Sequence, residues 1–359
     1  MKRHKKWLFL SVAIVLALSA SLAGCGGSGT DAGSGDPSEA VFNWSFYTSY
    51  GPEDGACAVI WPQLFDEIER ATDGRLKITT FWSGQHPYEG EDMLKALGDG
   101  AAELAHFYGG YVNSVDPIFG ADIMPLLLPV DAMESWNVLT GLWGDFQHEK
   151  TGFYEKILDE RWNASVVHMI PCSPQRFFTS GFEVTDADSL AGYKIRTYNA
   201  ELAQLVQLMG GTPVPISFSE VYTSLATNLI DGLITSTAFA DSGGFFDYVD
   251  SIGVWEIAQG TDALMVSNTA LDALPDDIRD IFLAIMTESA LKPEMLEVEE
   301  NDEIVEMRVS EGVTLIVPSE DQRNIVRELA REEIWASWLE LTGDEGAQLL
   351  EEIERLTQR

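Results

Sequence analysis

Strand-like and helix-like segments alternate along most of this chain, and that alternation restricts the fold to an α/β architecture. Val41 to Tyr47, Leu76 to Trp82, Glu103 to Tyr108 and Ala164 to Ile170 read as strands. So do Tyr193 to Thr197, Leu233 to Thr235, Ala263 to Ser267 and Gly312 to Val317. Between them, apolar residues recur at helical spacing. Val59, Ile60, Leu64 and Ile68 mark a helix over Ala56 to Thr72 that stops at Asp73-Gly74. Further helices are expected over Glu91 to Leu97, Asp131 to Leu158, Glu201 to Met209, Phe218 to Thr227 (Ser219 as cap), Pro275 to Met307 and Glu320 to Leu341.

The first residues point to export. Lys2, Arg3, Lys5 and Lys6 precede an apolar run from Trp7 to Leu22, 16 residues long. A bilayer-spanning helix needs about 20. Small residues follow, then Cys25, so a cleaved signal peptide fits better than a membrane anchor. Gly26 to Pro37 holds no apolar residue larger than alanine and reads as a flexible tether.

With the four leader bases set aside, 18 Lys and Arg remain against 58 Asp and Glu, a net of −40. Phosphate contacts need basic clusters, so a nucleic-acid partner is excluded, and anionic lipid is a poor one. Cys57 and Cys172 either pair or stay as thiols, and their spacing suits no metal. His86, His106, His148 and His168 are scattered, with no nucleophile elbow, phosphate loop or zinc-binding His pair. No catalytic centre, metal or cofactor is therefore expected.

Because bases are scarce, two arginines stand out. Arg196 sits at the carboxyl end of the strand Tyr193 to Thr197, before Tyr198 and Asn199, where open α/β folds collect ligands. Arg176 follows the strand ending at Ile170. A guanidinium fork matches a carboxylate two-to-two, although spacing alone favours an internal salt bridge to one of the many acids.

The segments Tyr193-Lys194-Ile195-Arg196, Pro213-Val214-Pro215-Ile216-Ser217-Phe218-Ser219-Glu220-Val221-Tyr222 and Asp231-Gly232 resemble the signature of solute-binding proteins of tripartite ATP-independent periplasmic (TRAP) transporters. Looser, collinear likeness extends from Ala71-Thr72-Asp73-Gly74 to Trp338 and Thr342-Gly343. Leu22-Ala23-Gly24-Cys25 resembles the bacterial lipobox, implying lipid attachment at Cys25.

The TRAP resemblance implies a two-lobe periplasmic binding protein of Venus-flytrap type, with mixed sheets and a long helix spanning both lobes. The expected division is signal peptide 1–24, tether 25–39, first lobe 40–173 plus 261–300, and second lobe 174–260 plus 301–359. The resemblance further implies a small organic acid as ligand, integral-membrane permease subunits as partners, and an extracytoplasmic, periplasmic or cell-surface location. Arg196 matches the family's carboxylate clamp, Arg176 a second ligand arginine, and Phe218 a stacking aromatic.

Thr235 stands where the family commonly has Asn, and Thr197-Tyr198 replaces Val-Pro. Tyr108 and Tyr111 align with first-lobe ligand contacts of sialic-acid-binding relatives, and Trp82 ends the second strand, where the family often has Pro; all three are expected at the cleft. An aromatic cleft of this kind favours a monocarboxylate with an apolar or aromatic body. Rival readings are an ABC-type or sensory solute receptor, a lipid-anchored secreted enzyme, and a structural surface protein.

Overall fold

The computed structural model describes residues 40–52, 57–129, 132–144, 151–171, 174–290 and 298–357. The leader, the tether, Cys25 and any Cys57–Cys172 pairing lie outside the described residues.

Eleven strands among these residues form two sheets. The first contains β1 (Phe42–Tyr47), β2 (Leu76–Phe81), β3 (Leu104–Tyr108), β4 (Ala164–Pro171) and β10 (Thr261–Ser267), in the order β2-β1-β3-β10-β4. The second contains β5 (Arg176–Thr179), β6 (Lys194–Thr197), β7 (Thr212–Pro215), β8 (Gly232–Thr235), β9 (Ser251–Gly253) and β11 (Thr314–Ile316), in the order β11-β9-β5-β8-β6-β7. Both sheets are mixed. β1 runs parallel to β2 and β3 while β10 is antiparallel to its neighbours; β6 runs parallel to β7 and β8 while β5 is antiparallel to β8 and β9.

The chain crosses between the sheets after β4, again between β9 and β10, and a third time between β10 and β11. The first two crossings are hydrogen-bonded to each other: Gln175 N donates to Ala258 O at 2.7 Å and Ile257 N to Gln175 O at 2.8 Å. One cluster of buried apolar residues includes Phe107 and Met265 of the first sheet and Phe177, Ile195 and Trp255 of the second sheet's side. The sheets therefore share a core as well as these connections.

The strands β5, β7 and β9 were not expected. The helix expected over Asp131 to Leu158 is not continuous. It runs Ala132–Trp143 and stops at Gly144, whose φ of +99° is left-handed. A second helix starts at Phe153, where Glu155 Oε2 accepts from Thr151 N at 2.9 Å and Gly152 N at 3.3 Å. A Cβ on Gly152 would lie 2.4 Å from the Trp143 carbonyl carbon, so glycine permits this close approach.

The long helical element lies at the C-terminal end instead. It runs from Glu320 to Leu329, through a wider π turn at Ala330–Trp335, and on from Ala336 to Thr357 with a kink at Gly343. Its first part meets the second sheet's side, where Ala187 N donates to Gln322 Oε1 at 3.2 Å and Arg323 Nη1 to Trp255 O. Its later part meets the first side: Trp338 Nε1 donates to Pro117 O at 2.7 Å, and Leu356 packs beside Gly141. The expected placement of 301–359 wholly in the second lobe does not describe this packing, because the terminal helix lies on Ala132–Trp143.

Candidate functional site

A cavity of about 590 Å³ opens between the two sheets, beyond the carboxyl ends of several parallel strands. Tyr50 follows β1, Tyr108 ends β3, Arg196 lies on β6 and Thr235 ends β8, and all four line it. Alternation along β6 sends Ile195 into the apolar core and Arg196 to the cavity.

Arg196 is 3% exposed, yet no carboxylate among the described residues pairs with it. Its Nε donates to Ile216 O at 3.1 Å and its Nη1 to Ile234 O at 3.3 Å, both backbone carbonyls. Burial pulls the guanidinium below its ordinary pKa, while Tyr111, Tyr198 and Tyr108 push the other way. The Tyr198 ring lies 5.2 Å from the guanidinium carbon. A buried cation fixed by two carbonyls and lacking a counter-ion is arranged to receive an anion.

The walls are aromatic and come from both sides. Tyr108 Oη and Tyr198 Oη meet at 3.0 Å across the cleft. Tyr108 has almost no lateral freedom: a Cβ on Gly110 would lie 2.5 Å from its Cε1, and one on Gly260 2.5 Å from its Cε2. Tyr111 packs edge-on against Tyr108 at 5.1 Å, and Phe239 meets both Phe218 and Tyr50 at 5.4 Å. Tyr50 is positioned from beneath, its hydroxyl donating to Asp262 Oδ1 at 3.0 Å, the same atom that lies 2.8 Å from His106 Nε2.

Of the residues singled out from sequence, Arg196, Tyr198, Phe218, Thr235, Tyr108 and Tyr111 line this one cavity. Three do not. Arg176 is held by Glu256, with Nη2 2.6 Å and Nε 3.2 Å from Oε1, and its Nη1 donates to Thr237 Oγ1 at 3.2 Å. Asn199 caps the helix Ala200–Leu208, its side chain accepting from Leu202 N at 2.8 Å. Trp82 is half-buried past β2, where its N–H donates to Gln85 Oε1 at 3.1 Å. The helix Phe218–Ala226 is capped by Ser217 rather than Ser219: Ser217 N donates to Glu220 Oε2 at 3.1 Å and Ser217 Oγ to the same atom at 2.7 Å.

Sequence reasoning missed Tyr50, Gln175 and Phe239, which also line the cavity. Tyr50 was within reach of the strand-end rule that singled out Arg196, whereas Gln175 and Phe239 arrive through a crossing and a helix start with no local signature. Among the described residues no group of three or more His, Cys, Asp or Glu is placed to hold a metal, and no helix is long and apolar enough to cross a membrane.

Two mixed α/β sheets joined by paired crossings, with a cavity between them and a buried cation at its floor, define a periplasmic-type solute-binding protein. A family model for "Bacterial extracellular solute-binding protein, family 7" matches residues 61–340, and the chain belongs to that family. It is similar to the ectoine/5-hydroxyectoine-binding periplasmic protein UehA of Ruegeria pomeroyi, 25% identical over 305 residues that cover 82% of this chain and 85% of UehA. It is also similar to the ectoine-binding periplasmic protein TeaA of Halomonas elongata, 22% identical over 74% of this chain and 76% of TeaA. Its fold matches DctP6 of Bordetella pertussis, a receptor binding pyroglutamic acid, with a TM-score of 0.76 at 19% identity over 88% of this chain and all of DctP6. The chain is thus a solute receptor of the TRAP kind and not an enzyme.

Proposed function

We propose that this receptor captures a small monocarboxylic acid on Arg196, encloses it between the two sheets, and delivers it to integral-membrane TRAP permease subunits. The observation that carries this reading is the buried Arg196 guanidinium, which faces the cavity without a protein carboxylate. The solutes named for the relatives above support the same class. Tyr108, Tyr111, Tyr198, Phe218 and Thr235 then contact the ligand body, and the aromatic lining favours an apolar or aromatic body over a sugar acid or a dicarboxylate.

The moving bodies are the two sheets with their helices, hinged where 174–176 runs beside 254–260. Arg176 serves that hinge through its ion pair with Glu256 on the other crossing. Export by the leader and acylation at Cys25 hold the receptor outside the cytoplasmic membrane, near its permease.

A thermal-shift screen of carboxylic acids, followed by calorimetry on the best binders, tests this reading. Apolar monocarboxylates are expected to raise the melting temperature. A response confined to four-carbon dicarboxylates contradicts the proposed ligand body, and a response to neutral sugars alone contradicts the role of Arg196.

A further inference from the structure

The cavity carries more negative than positive charge, although it is read above as an acid-binding site. Among the described residues that line it, Arg196 is the only base, while Glu89 and Glu91 line it from the first sheet's side and Glu220 from the second's. Hydrogen bonds from Ser217 hold the Glu220 carboxyl below its usual range, so it is ionised at neutral pH. Glu89 and Glu91 flank Gly90, whose backbone lies flat on an aromatic wall: a Cβ there would sit 2.6 Å from Tyr111 Cδ2. That close approach holds the backbone between the two glutamates beside the tyrosine, and both residues are exposed at the rim. Neither has a basic partner among the described residues.

A ligand carrying only an anion satisfies Arg196 but, on closure, brings these carboxylates toward a second negative charge and out of water. Between floor and rim stand the rings of Tyr50, Tyr108, Tyr111, Tyr198, Phe218 and Phe239. Aromatic faces attract cations, and they do so best when the cation is weakly hydrated, as a quaternary ammonium or a delocalised amidinium is. The floor asks for a carboxylate; the walls and rim ask for a soft cation.

We propose that the ligand is a compact zwitterion, its carboxylate on Arg196 and its alkylated or delocalised cation against the aromatic wall, facing Glu89 and Glu91. This deepens the carboxylate reading above and rests on it.

Matched probes test it on the full chain by calorimetry. Trimethylglycine is compared with its carbon isostere tert-butylacetate, and proline betaine with the cyclopentane acid of the same shape. Each pair differs only in a positive nitrogen replacing a neutral carbon. In at least one pair the zwitterion is expected to bind about tenfold tighter. That ratio should collapse toward unity in the double variant Glu89→Gln, Glu91→Gln. Equal or tighter binding of the neutral acids overturns the proposal, as does a ratio that survives in the double variant, or no binding by any of the four probes. Arg196→Met separates the two readings. If neutral acids bind as tightly as zwitterions but lose affinity in that variant, the carboxylate site stands and the zwitterion falls.

Discussion

Replacing Arg196 with methionine removes the guanidinium while filling most of its volume. A guanidinium has five N–H donors, and here one on Nε and one on Nη1 are committed to Ile216 O and Ile234 O. The three that remain are enough for a two-point contact with a carboxylate. Hydrogen bonds to charged groups contribute roughly 1.5–3 kcal/mol each. Part of that sum is offset, because the variant no longer keeps an unpaired cation buried in the free protein. The expected net loss is about 3 kcal/mol, roughly 150-fold in Kd. Arg196→Lys keeps a point charge but loses the planar fork, so an intermediate loss of roughly tenfold is expected. Calorimetry with the tightest acid from the thermal-shift screen measures both variants, with circular dichroism to show that each is folded. A folded methionine variant within about threefold of the parent affinity refutes the assignment of the anion to this side chain.

Three further outcomes follow from the packing. Gly260→Ala drives a methyl into the Tyr108 ring, 2.7 Å from Oη and 2.9 Å from Cζ; a destabilisation of roughly 1–3 kcal/mol in urea unfolding is expected, with weaker ligand binding. Glu256→Gln leaves Arg176 buried without its counter-ion and should cost about 3 kcal/mol, much of it recovered when Arg176→Met is added; additive losses would contradict the pairing. Asp122 is buried with no side-chain hydrogen-bond partner, and burial raises its pKa to about 8 against the downward pull of the Asp122 and Ile123 backbone N–H groups. Unfolded, that carboxyl ionises near ~3.9, so across the interval up to about 8 unfolding releases a proton and stability falls as pH rises. Asp122→Asn removes the effect and should gain on the parent by about 1.4 kcal/mol per pH unit within that window, whereas parallel pH profiles for the two proteins would contradict it.

What was legible in the sequence was local. β1, β3, β6, β8 and β10 announce themselves through alternation or short apolar runs bounded by turn residues. β7 does not, because it reads Thr-Pro-Val-Pro, and proline is tolerated there only because β7 is an edge strand. β9 is three residues long and carries no periodicity. At the site, strand-end position drew attention to Arg196 and the family resemblance to Tyr108 and Tyr111, and all three line the cavity. Arg176 does not, because the acid that takes that guanidinium lies 80 residues away and enters on the other crossing. Asn199 was misread for a different reason: a polar side chain at a helix start has a local partner, Leu202 N, that competes with any ligand.

The C-terminal rod is attached at both ends, by Gln322 and Arg323 to one body and by Trp338 to the other. Any opening of the cleft would act on the stretch between those attachments, which is itself tied by Arg327 to Leu126 O and by Trp335 to Pro125 O and departs from regular α-helix at Ala330–Trp335. That turn is the place where a change in helical register would trade against jaw angle. A pair of spectroscopic labels straddling it would report capture without touching the cavity.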